Sequence, residues 1–143
     1  MSKSDINKFN CKKEVLESIK IGDERFNDIN ISSDSLTITG ENPYIIYPLK
    51  TIVSKNKKPE YINFEIEYSC KNKPEIQIFW HTKELSFTEA NSIRFKVKQG
   101  NNIINMGKNE NWKNSEPVDA IRVDIKIATS CKSIHRPRLT IGN

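Results

Sequence analysis

The sequence predicts an all-β protein, an antiparallel β-sandwich of the jelly-roll type, on three observations. Apolar residues recur with a period of two in runs of strand length. Turn-forming clusters punctuate those runs, at Gly40–Pro43, Lys57–Pro59, Lys71–Pro74, Gly100–Asn102 and Pro117. No helical period stands between them, which excludes the parallel architectures whose strands are joined by crossover helices.

The elements follow in order. Residues 1–28 read as a lead-in segment, in which KKEVLESIK forms a short helix with Leu16 and Ile19 on one side. The sandwich domain is expected over residues 29–143. LTIT (36–39) is a strand, closed by the turn GENP and followed by YIIYPL. In YINFEIEY (61–68), Ile62, Phe64, Ile66 and Tyr68 face one way while Asn63, Glu65 and Glu67 face the other. EIQIFWHT sets Ile76, Ile78 and Trp80 on the core face and Gln77, Phe79 and His81 on the opposite one. SIRFKVK turns Ile93, Phe95 and Val97 inward; AIRVDIKI does the same with Ile121, Val123, Ile125 and Ile127 against Arg122, Asp124 and Lys126. RLTIG closes the set.

Composition narrows the function classes. A chain of 143 residues fits one domain with a substantial core. Its net charge of +5 is spread out, because the charges of residues 1–30 cancel. Lysine-rich turns such as SKNKKPE (54–60) keep loops and sheet edges soluble, so nucleic acid is not an expected partner. No apolar stretch approaches the roughly 20 residues that cross a bilayer, and MSKSDINKFNCKK lacks a signal-peptide core. A cytoplasmic chain with no membrane partner is expected. Cys11, Cys70 and Cys131 then read as free thiols, a Cys70–Cys131 bridge being the alternative in an oxidising compartment.

The motif order SLTITGENPYIIYPL, a strand ending in IFW, LSFTEANSIRFKVKQGNNIINM, AIRVDIK and RLTI resembles a β-sandwich module of bacterial polysaccharide-related proteins. It is similar to the galactose-binding-like, carbohydrate-binding-module folds often attached to glycosyltransferases. The resemblance covers about residues 30–142 and rests on core and turn residues. Asn42 stands where those modules carry Asp before Pro, Thr88 where they carry Ser, and Lys126 where Pro or Gly is common. The resemblance implies a glycan partner, with an attached or partner catalytic domain.

Residue chemistry agrees with a binding module rather than an enzyme. His81 and His135 lack a third group at ligand spacing, no nucleophile-elbow motif occurs, and no Asp-rich loop suggests calcium, so neither cofactor nor metal is expected. Glu65 and Glu67 sit two apart on one strand face, an arrangement common without catalysis. Sugars instead need aromatic rings for their C–H faces and side chains that hydrogen-bond their hydroxyls. If the alternating strands pair side by side, one polar face gathers Asn63, Glu65, Glu67, Gln77, Phe79, His81, Arg94, Arg122 and Asp124. Phe79 is the odd member, an aromatic among polar groups; the face reads either as a shallow glycan groove or as a charge-paired solvent face, with Glu67–Arg94 and Arg122–Asp124 as exposed pairs worth little. Trp112, in the polar loop GKNENWKNSEP, either covers the end of the sandwich or meets a partner at a loop rim, and Tyr44 and Tyr47 beside Pro43 join the same or the opposite rim. The expected carbohydrate-binding residues are therefore Phe79, His81, Glu67, Arg94, Arg122 and Trp112. The rival is a docking sandwich that packs on a catalytic domain and has no sugar affinity of its own.

Overall fold

The computed structural model of the protein describes residues 19–126 and 134–142. The strands are β1 (Arg25–Asn27), β2 (Ile29–Ser32), β3 (Ser35–Ile38), β4 (Tyr44–Val53), β5 (Tyr61–Ile66), β6 (Glu75–Thr82), β7 (Ser92–Lys96), β8 (Gly100–Asn105), β9 (Val118–Lys126), β10 (Ile134–His135) and β11 (Arg138–Gly142). One short helix, α1 (Glu110–Asn114), and two single 3₁₀ turns, Glu89–Asn91 and Met106–Lys108, lie in the connections. The strands form a five-stranded sheet β1-β4-β9-β6-β7 and two three-stranded sheets, β10-β3-β2 and β11-β5-β8. Every pairing is antiparallel, and the β-sandwich expected from the alternation is what forms.

The core follows the period-two pattern. Ile45 and Tyr47 of β4, Ile121, Val123 and Ile125 of β9, and Ile76, Ile78 and Trp80 of β6 are buried on one side of the large sheet. They form one apolar cluster with Ile62, Phe64 and Ile66 of β5 and with Leu139 and Ile141 of β11. Ile93 and Phe95 of β7 are half-buried against that cluster. Asn102, which pairs with Phe64 across β8 and β5, is the polar exception. Its carboxamide donates to the carbonyls of Phe64, Lys98 and Gly100 and accepts from the Lys98 amide, so its burial leaves no polar atom unmet.

Trp112 is core. Of its two readings, the cover of the sandwich end is the one that forms, and Trp112 is no binding residue, because GKNENWKNSEP is not an open loop. Asn109 accepts a hydrogen bond from the Trp112 amide, caps α1, and turns the indole inward. There the ring is 1% exposed, meets Trp80 edge to face at 5.3 Å, and donates its Nε1–H to the Pro59 carbonyl at 3.0 Å. Tyr47 is likewise buried rather than on a rim, and burial, with Glu24 nearby, holds its phenol far above the ordinary tyrosine range.

The sandwich also begins earlier than residue 29. Ile19 bridges to Ile141 and Ile21 to Leu49, and β1 pairs with β4 from Arg25 to Asn27. The helix expected in KKEVLESIK falls mostly outside the described residues. Cys70 is disulfide-bonded to a partner outside those residues, which corrects the reading of three free thiols.

Two outcomes test this packing. Trp112→Ala should lower unfolding stability by about 3–5 kcal/mol in a urea titration, the usual cost of removing a buried large aromatic. With two of the three cysteines in a bond, denaturation without reductant should expose one titratable thiol, and three after reduction.

Candidate functional site

Strand β9 lies in the middle of the large sheet, paired with β4 on one side and β6 on the other. Its outward residues therefore sit in the centre of a continuous face. The register draws the rows. One runs Arg94, Gln77, Asp124, Tyr44; the next runs Ser92, Phe79, Arg122, Ile46; a third joins His81, Ala120 and Pro48. Residues directly opposite in antiparallel strands share a side, so these side chains project together.

Arg122 organises the centre. Its Nε donates to Asp124 Oδ1 at 2.6 Å and its Nη2 to Oδ2 at 2.8 Å, a bidentate pair with both side chains largely buried, at 21% and 16% exposure. The guanidinium lies over the Tyr44 ring, 3.9 Å from its centroid, with Phe79 at 5.1 Å and Phe87 at 5.7 Å. The cation is thus held in its plane by one carboxylate and surrounded by three aromatic rings. Phe79 is only 7% exposed and serves as floor, whereas Tyr44 and Phe87 are half-buried.

Short-range bonds fix the surrounding walls. On one side, Glu89 accepts from Gln77 at 3.0 Å and from Arg94 at 3.0 Å, and Ser92 Oγ accepts a second bond from Gln77 at 2.9 Å. Asn111 of α1 donates to the Ala90 carbonyl, tying this wall to the helix that carries Trp112. Phe87, just before the wall, meets His81 in a tilted ring contact at 5.3 Å and 56°, and the His81 Nδ1 lies 2.6 Å from Asp119 Oδ1. On the other side, the turn before Tyr44 is set by Asp28. Asp28 takes a positive φ of 54° and accepts from the Asn42 amide, while its carbonyl accepts from Thr39. Gly40 passes so close that a Cβ there would lie 2.4 Å from the Asp28 carboxyl carbon, so a side chain at position 40 would push the carboxylate off the Asn42 amide.

Of the residues expected from sequence, Phe79, His81, Arg94 and Arg122 come together on this face. Gln77 and Asp124 join them. Glu67 does not, because β5 belongs to the other side of the sandwich. It lines a separate cleft of about 170 Å³ with Asp34, Glu65, His135, Arg136 and Arg138. Asn63 and Glu65 are also on that sheet. Trp112, in the core, is absent from any surface. Sequence reasoning missed Phe87, Glu89 and Asp119. Phe87 and Glu89 belong to the irregular segment 83–91, where no period reveals a side chain's direction. Strict alternation would turn Asp119 away from Ala120, the cross-strand partner of His81; a register shift between His81 and Thr82, which leaves Asp119 as the extra residue of β9, brings it to His81 instead.

Among the described residues, no three His, Cys, Asp or Glu side chains group so as to hold a metal ion, and no helix is long and apolar enough to cross a membrane. The arrangement offers ring faces, fixed hydrogen-bonding groups and no activated nucleophile.

No protein-family model matches the chain, and no curated protein matches it. Among solved structures, it is similar to a low-affinity xylan-binding module, CBM86, from the gut symbiont Roseburia intestinalis. That similarity has a TM-score of 0.51 and 14% identity, over 86% of this chain and 87% of the other. At this level of identity the likeness is one of fold: the chain has the β-sandwich fold of a carbohydrate-binding module.

Proposed function

We propose that the protein is a non-catalytic carbohydrate-binding module that holds a glycan across the outer face of its five-stranded sheet. One observation carries this reading. Tyr44 and Phe87, both half-buried, have ring centroids 3.9 and 5.7 Å from the Arg122 guanidinium carbon, and the hydrogen-bonding side chains of His81, Arg94 and Asp119 share their face. A sugar ring needs that combination, an apolar plate for its C–H face within reach of donors and acceptors for its hydroxyls.

The fold shared with a xylan-binding module supports a polysaccharide as the ligand class. A bacterial surface or extracellular polysaccharide is the reading we adopt, with the module tethering an associated enzyme, such as a glycosyltransferase, to its chain. The disulfide at Cys70 favours an oxidising compartment over the cytoplasm as the working location. An exposed apolar patch around Phe79 or Trp112 would favour the rival docking role, and both residues are buried.

A glycan array on the folded chain, repeated with Tyr44→Ala and Phe87→Ala, tests the reading. Each substitution should weaken binding to the identified glycan by about tenfold, or about 1.4 kcal/mol, without loss of the folded state by circular dichroism. Glu67→Ala, on the far side of the sandwich, should leave binding within about twofold. Silence of the wild-type protein across a broad array, or a loss at Glu67 equal to that at Tyr44, would sink the assignment.

A further inference from the structure

The central face carries cations, and their pairing has a consequence for which glycans it accepts. Three positively charged or protonatable side chains project from it, Arg122, Arg94 and His81. Each is already matched to a carboxylate fixed in the same face: Arg122 to Asp124 at 2.6 Å, Arg94 to Glu89 at 3.0 Å, and His81 to Asp119 at 2.6 Å. The Arg122 pair is the decisive one, because it is bidentate, largely buried and central between Tyr44 and Phe87.

From this we infer that the face selects neutral glycans against uronate-bearing ones, with Asp124 as the specificity-determining residue. This inference rests on the glycan-binding reading of the same face. Asp124 engages two of the guanidinium's N–H groups and leaves the others for neutral hydroxyl acceptors. A uronate ring stacked on Tyr44 or Phe87 would bring its carboxylate toward a cation that already has a counter-ion. It would meet Asp124 as a like charge within a largely buried pair, where repulsion is screened less than between exposed charges. Specificity thus comes from a repulsive element built into the site as much as from the attractive ones. Lys96 and Lys126, on either side of Glu75, lie at the end of the sheet and are exposed. Their attraction for acidic chains is a general one, screened over about 8 Å at physiological ionic strength.

Calorimetric titration of the intact protein with unsubstituted xylan and cellulose fragments, and with oligogalacturonate, at low and at 0.5 M salt (about the regime in which exposed charges are fully screened), tests the inference. The wild-type protein should bind a neutral fragment at both salt concentrations and bind oligogalacturonate at least about tenfold more weakly at high salt. Asp124→Asn should shift the ratio toward oligogalacturonate by about tenfold or more, by freeing Arg122. Glu89→Gln, at an exposed pair and isosteric with the native side chain, should shift it the same way by about threefold. Tighter binding of oligogalacturonate than of neutral fragments by the wild type, or no shift in the folded variants, overturns the inference and leaves the glycan module standing. Failure of every fragment to bind overturns both.

Discussion

The pleat of β9 is the constraint on which the rest of the protein depends. This strand has hydrogen-bonded neighbours along both edges, so its register is fixed from two sides. Ile121, Val123 and Ile125 go into the core, and Arg122 and Asp124 must then emerge together on the outer face. A slip of one residue would exchange the two sets. It would bury a guanidinium and a carboxylate among isoleucines and strip the core of its central layer. Fold and candidate site are consequently a single commitment: the same alternation that closes the sandwich sets the charged pair between Tyr44 and Phe87.

That coupling explains what could be read from the sequence. Strand β6 coincides with the run EIQIFWHT, and β9 and β11 match their runs to within two residues, because alternation there spans a whole strand. Phe79, His81, Arg94 and Arg122 were legible as neighbours for the same reason. Sequence could not say which strands share a sheet, and that is why Glu67 was grouped with residues on the opposite side of the molecule. Nor does alternation report on positions outside strands. The polar companions of Trp112 left it open between core and rim, and an Asn109 cap that folds the segment into one helical turn decides for the core. The stretch after Gln99 reads as a turn, but Gly100, at a φ of 86°, only redirects the chain into β8. Phe87 and Glu89 are held by Thr82–Leu85 and Gln77–Glu89 bonds, contacts between segments that no local pattern encodes.

Support for the face comes from behind as well as from within it. Trp112 and Trp80 fill the end of the sandwich beneath the wall that bears Glu89, and the Asn111–Ala90 bond joins the two layers. On the opposite rim the Asp28–Asn42 bond holds the turn that delivers Tyr44. The groups that would meet a ligand are thus positioned before it arrives, which reduces the ordering cost of binding.

The segment between residues 19 and 27 has a role beyond lengthening the sheet. Lys20 accepts from the Lys50 amide, Gly22 donates to the Pro48 carbonyl, β1 covers Tyr44–Ile46, and Glu24 pairs with Arg136 at 2.9 Å. Together they occupy the outer border of β4, a ten-residue strand with Ile52 exposed near its end. An unoccupied border of that length is a template for another chain's strand. Trimming the protein to the apparent start of its alternating pattern would uncover it and convert a self-contained module into one prone to self-association.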